Sequence, residues 1–204
     1  MDEKIIDVLE QYHQRMARER ETFPRAAPAG SRSPLDDRML AIDPESGQLL
    51  NILVRSLKQP VVLELGTSYG YSGIWLAEAA RAVNGHLITM ESAAHKAEYA
   101  KSMAVQAGLA DHIDFMVGDA LQLLGSVTRK IDFVFLDLWK NLYVNCLNAF
   151  APLLNPGALI VADNMIRPGG PDLEAYAQAI RARPDMESIL LPVGNGLEVS
   201  RYRP

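Results

Sequence analysis

Cysteine is almost missing from this sequence: Cys146 stands alone among 204 residues. A single thiol excludes an internal disulfide and fits a reducing compartment. Long apolar runs are missing as well, and no stretch approaches the ~20 residues that a membrane-spanning helix needs. Basic charge is in the minority, with 20 Lys and Arg against 25 Asp and Glu and a net charge of −5. No basic footprint for nucleic acid is therefore visible. The opening Met1-Asp2-Glu3-Lys4 has the character of neither a signal nor a transit peptide. These absences predict a cytoplasmic protein that engages neither a membrane nor nucleic acid. What remains is ordinary globular material, 49% hydrophobic and 22% charged, at the length of one domain.

Along the chain, Ile5, Val8, Leu9, Tyr12 and Met16 recur at helical spacing and predict a helix over residues 4–22. Phe23–Pro34 is rich in Pro, Ala, Gly and Ser and reads as a linker, so residues 1–35 form a helix-plus-linker extension and residues 36–204 a single domain. Asp43-Pro44 has the form of an N-cap followed by proline, opening a helix to about Leu57. From Pro60 the pattern alternates. Strands are expected at Val61–Leu65, His86–Glu91, Ile113–Val117, Ile131–Asp137 and Ala158–Asp163, with helices between them. Such alternation implies a parallel sheet covered by helices on both faces. The last two strands, Ser188–Val193 and Leu197–Tyr202, are separated only by Gly194-Asn195-Gly196, a hairpin connection that forces one antiparallel strand into the sheet.

Chemistry gathers at the carboxyl ends of these strands, where open α/β sheets place their ligands. The strand at Val61–Leu65 carries Glu64 and runs into Gly66-Thr-Ser-Tyr-Gly70. The E-x-G-x-x-x-G spacing is not the G-x-G-x-x-G of a dinucleotide site, which disfavours a nicotinamide oxidoreductase. It suits a ligand with an ammonium group, such as an amino-acid tail. Glu91 ends the second strand, where an acid can accept both ribose hydroxyls, and Asp119 ends the third, near an adenine. Asp137 ends the fourth strand and Asp163-Asn164 the fifth, offering three oxygen donors to one spot. Each acid alone could be a helix cap; their succession argues for a site. Gly66-x-Ser68-x-Gly70 also satisfies the nucleophile-elbow pattern, but the last histidine is His112, so a hydrolase would lack its base.

From Leu40 to Tyr202 the chain resembles the catechol O-methyltransferase family of class I S-adenosylmethionine-dependent methyltransferases. The resemblance is carried by L-E-L-G-x-x-x-G-Y-S at Leu63–Ser72, M-E at Met90–Glu91, F-L-D-x-W-K at Phe135–Lys140, A-D-N-x-I-x-P-G at Ala162–Gly169 and G-L-E at Gly196–Glu198. It implies a Rossmann-like methyltransferase fold: α/β, with a mostly parallel seven-stranded sheet and a C-terminal antiparallel hairpin. It also implies S-adenosylmethionine held by Ile42, Glu64, Gly66, Ser72, Glu91, Asp119, Ala120, Asp137 and Trp139, with Trp139 against the adenine. Asp137, Asp163 and Asn164 would hold a divalent metal, Mg²⁺ by their hard oxygens. Lys140 matches the general base, and Lys140, Asn164 and Glu198 would meet a phenolic small molecule with two adjacent hydroxyls. A homodimer is compatible with this reading.

Departures from the family pattern include Leu138 in place of histidine, and Ala120 and Leu121 in place of polar residues near the adenine. Arg38 and Arg167 suggest a phenol bearing a carboxylate, which guanidinium pairs with well. The rival functions are an O-methyltransferase acting on a hydroxylated tRNA base and a non-catalytic S-adenosylmethionine-binding protein.

Overall fold

The structure is a computed structural model, and it describes residues 1–22 and 38–204. The linker expected over Phe23–Pro34 lies outside the described residues. Seven strands form one sheet: β1 (Val61–Leu65), β2 (His86–Glu91), β3 (Ile113–Val117), β4 (Ile131–Leu136), β5 (Leu154–Ala162), β6 (Met186–Leu191) and β7 (Leu197–Tyr202). Their order is β3-β2-β1-β4-β5-β7-β6. β7 runs antiparallel to both its neighbours, and the β1–β5 pairings are parallel. The order reverses between β1 and β4, which opens a crevice at the carboxyl ends of those two strands.

Two apolar layers sandwich the sheet. Helices α1 (Glu3–Thr22), α2 (Pro44–Arg55), α3 (Tyr71–Ala82) and α4 (Ala94–Gln106) contribute to one, which meets Val62, Phe133, Phe135 and Val161. Helices α5 (Ala120–Leu124), α6 (Tyr143–Phe150) and α7 (Pro171–Arg181) contribute to the other, which meets Leu63, Leu65, Val134 and Leu136. Alternate residues of one strand thus feed opposite cores, as a period of two requires. The predicted apolar face of α1 is buried in the same core as the sheet, through Ile5, Val8, Leu9 and Tyr12.

The larger departures from the sequence reading each have a local reason. β5 starts at Leu154, four residues early, because Leu154 already pairs with Ile131; the intervening Pro156 and left-handed Gly157 read as a turn. β6 is displaced to Met186–Leu191 because Met186 pairs with Tyr202, and the Val193 carbonyl is used by the turn to Gly196. The helix expected after Asp137 is broken into a 3₁₀ turn at Lys140–Leu142, α6, and a second 3₁₀ turn at Ala151–Leu153 that contains Pro152. Asp43 does precede α2 with Pro44 in the first turn, but its side chain makes no capping bond.

Candidate active site

The crevice is a cavity of about 600 Å³ at the carboxyl ends of β1, β2, β3, β4 and β5, within the roughly 300–1,000 Å³ usual for small-molecule sites. At its β1 side, Gly66 (φ +106°) donates its N–H to Met90 O at 3.1 Å. A Cβ there would collide with the backbone carbonyl of Asp137. Glycine therefore lets the loop after β1 touch the end of β4. Glu91 accepts from Ser68 N at 2.7 Å and Ala93 N at 2.9 Å. Asp119 caps α5, accepting from Gln122 N at 3.0 Å, while also lining the cavity beside Ala120. The capping and ligand-facing readings of Asp119 are compatible.

At the β4–β5 side the chemistry is more charged. Asp137 N and Asp163 N extend the sheet ladder, donating to Leu65 O and Leu136 O at 2.9 and 3.0 Å. Asp137 and Asp163 thus line the cavity from adjacent strand ends, with Asn164 next to Asp163 in left-handed backbone (φ +66°). Lys140 Nζ lies 2.9 Å from Asp137 Oδ1 and 3.0 Å from the Tyr143 hydroxyl. That hydroxyl is buried against Leu136 O at 3.0 Å and Asp163 O at 3.3 Å. Asp163 is 2% exposed, and its Oδ1 has no hydrogen-bond partner. Burial, then the neighbouring Asp137 charge, pushes the Asp163 carboxyl well above its ordinary range. Burial also raises Asp137, against the pull of Lys140.

Two buried acids side by side, one with an orphaned oxygen, form an arrangement that a cation relieves. The donors are two carboxylates and an amide; among the described residues no cluster of three His, Cys, Asp or Glu side chains fit for a metal occurs. Trp139 is 57% exposed at the cavity wall, and Leu138 also lines it. The segment after Asp163 is pinned to the β6–β7 turn by Met165 N–Gly196 O (3.0 Å) and Ile166 N–Asn195 O (2.9 Å), which brings Asn195 into the wall.

Four residues that the resemblance points to are not on the wall. Glu64 is wholly buried beneath the glycine loop, accepting from Ser72 Oγ and Thr89 Oγ1, each at 2.6 Å. Burial pushes its carboxyl up to about 7, against those two donors. Ser72 is buried with it, and Ile42 packs in the core behind Leu40 and Ala41, which do line the cavity. Glu198 is 0% exposed, and both its oxygens are taken by Arg181, at 2.7 and 2.6 Å. Nor do the two arginines reach the cavity wall: Arg38 donates to Glu19 O at 3.4 Å and Arg167 to Gly194 O at 3.0 Å. Sequence reasoning missed Tyr143, whose spacing of three from Lys140 on a helical turn is a usable signal. It also missed Lys96, for which no motif stands.

Strand order, crevice and acid placement together define a Rossmann-like fold of the S-adenosylmethionine-dependent methyltransferase class. Residues 29–202 match the family model described as O-methyltransferase, and the chain belongs to that family. It is 35% identical over 134 residues to a catechol O-methyltransferase of Niastella koreensis, covering 64% of this chain and 60% of that protein. To the catechol O-methyltransferase of Mycobacterium tuberculosis it is 36% identical over 146 residues, covering 71% and 66%. The chain thus matches somewhat under two thirds of those relatives' lengths. The crystal structure of the O-methyltransferase TomG from Streptomyces achromogenes, in complex with SAM, superposes with a TM-score of 0.78 at 27% identity, over 100% of this chain and 91% of that one.

Proposed function

We propose that this chain is a divalent-metal-dependent O-methyltransferase that moves the methyl group of S-adenosylmethionine to one hydroxyl of a catechol-type small molecule. The observation that carries the reading is the junction of Lys140, Asp137 and Asp163: an amine on one carboxylate, beside a second carboxylate with a buried oxygen lacking a partner. Asp137, Asp163 and Asn164 would hold Mg²⁺, since oxygen donors without sulfur or imidazole suit a hard cation. Bound there, the ion supplies Lewis acidity that makes an aromatic hydroxyl easier to ionise.

The chain's own residues do the rest. Lys140 Nζ, steadied by the Tyr143 hydroxyl, takes the substrate hydroxyl proton when it presents a free amine. The resulting phenolate oxygen attacks the methyl carbon; an O–C bond forms, the C–S bond breaks, and S-adenosylhomocysteine leaves. The methyl donor is already activated, so alignment is the main service, worth up to roughly 7–11 kcal/mol for well-placed partners. Glu91 accepts the ribose hydroxyls, and Asp119, Ala120 and Trp139 frame the adenine. Gly66 admits the amino-acid tail, while Glu64 and Ser72 brace the loop from below and Ile42 backs the opposite lip. The grip of Arg181 on Glu198 favours a supporting role for that acid over direct substrate contact.

The test is a panel of aromatic vicinal diols and their monohydroxy counterparts with S-adenosylmethionine, with and without Mg²⁺, read by mass. A gain of one methyl group is expected only for the diols and only with the metal. Equal methylation of the monohydroxy compounds, or undiminished turnover in excess chelator, overturns the reading.

A further inference from the structure

Lys96 is a cation that the catalytic reading leaves unused. It sits in the first turn of α4, where an ammonium opposes the helix macrodipole. It is only 9% exposed. Its Nζ lies 5.4 Å from the centroid of the Tyr69 ring. Among the described residues it has no hydrogen-bond acceptor and no carboxylate partner. Neither helix stability nor an ion pair accounts for it. Apart from the face of the Tyr69 ring, the ammonium has no partner among the described residues, and Lys96 forms part of the cavity wall together with Ser68, Glu91 and Ser92.

Glu91 already spends lone pairs on Ser68 N and Ala93 N, and as a carboxylate it can only accept. A ribose hydroxyl both donates and accepts. An acid and an ammonium on one stretch of wall are complementary to it: the acid takes the hydroxyl hydrogen, and the ammonium donates to the hydroxyl oxygen.

We propose that Lys96 is a ligand of the nucleoside ribose, donating to a ribose hydroxyl oxygen and making the cleft selective for an intact 2′,3′-diol. The inference rests on the reading of the cleft as an S-adenosylmethionine site. The test is calorimetric titration with S-adenosylhomocysteine and with its 2′,3′-dideoxyribose analogue, on the wild-type chain and on Lys96→Met, which keeps the apolar stem. For S-adenosylhomocysteine, Lys96→Met raises Kd about tenfold, the size of one charge-assisted hydrogen bond. For the dideoxy analogue the penalty falls below about twofold, because the hydroxyls that the ammonium serves are gone. Lys96→Arg, retaining a donor, recovers part of the loss. An unchanged Kd in Lys96→Met, or the same penalty with both ligands, overturns the inference while leaving the cleft reading intact. Failure of the wild-type chain to bind S-adenosylhomocysteine overturns both.

Discussion

The two ends of the cavity solve opposite problems. At the β1–β3 end each acid is already satisfied: Glu64 by two hydroxyls, Glu91 by two backbone amides, Asp119 by the first turn of α5. At the β4–β5 end Asp163 keeps an oxygen without a partner, and Asp137 leans on a single lysine. The acids of the first end are held in place by hydrogen bonds, which suits the neutral, hydroxyl-bearing guest proposed for it. The second is electrostatically incomplete until positive charge arrives. Binding can be built from saturated groups, whereas chemistry at a hydroxyl requires groups held short of saturation.

The sharpest way to break this contrast is at the incomplete end. Lys140→Ala is expected to lower kcat/KM by about 10²–10⁴-fold while S-adenosylhomocysteine still binds, as measured by steady-state kinetics alongside calorimetry. Full activity in that variant removes the amine from the mechanism. Next in size is a backbone test at the saturated end. Gly66→Ala forces a Cβ toward the Asp137 carbonyl at a positive φ, and should cost about 3 kcal/mol in urea unfolding. A cost near zero would mean that the two strand ends need not touch.

The third prediction concerns Glu64, whose folded carboxyl is raised from 4.5 to about 7. Between those values the folded state binds more protons than the unfolded chain. This contribution to stability is therefore full below about pH 4.5 and is lost as pH rises through 7. Between pH 5 and 8 the ligand-free wild type should lose roughly 3 kcal/mol more than Glu64→Gln does; parallel curves would show that the hydroxyl donors keep the acid ionised throughout. The smallest effect belongs to Asp163→Asn. Relieving the crowded pair should raise the melting temperature of metal-free protein by about 2–4 °C, yet abolish any rise on adding Mg²⁺. A variant that still gains stability from Mg²⁺ would take Asp163 out of the proposed metal site.

Much of this architecture was legible before any coordinates. β1, β2, β3 and β7 fall where apolar runs bounded by turn residues put them, because a strand buried on both faces has little freedom in composition. The apolar runs of β2, β4 and β5 lead into Glu91, Asp137 and Asp163, so these acids on the cavity wall could be named from their position alone. The hairpin at Gly194-Asn195-Gly196 announced the antiparallel strand, although its register shifted by two residues once Met186 found Tyr202.

Other features belong to the tertiary structure. Glu64 and Glu198 occupy positions as suggestive as Glu91, but Thr89 reaches the first from β2 and Arg181 reaches the second from α7. Lys96 looks like any surface lysine until α4 packs in place and leaves it nearly buried at the cavity wall. The chain's local pattern determined which residues lie at strand ends, since periodicity and turn chemistry act over a few neighbours. Which of those residues keep a free charge was decided by packing, because partners distant in sequence meet only when the sheet and its helices close around them.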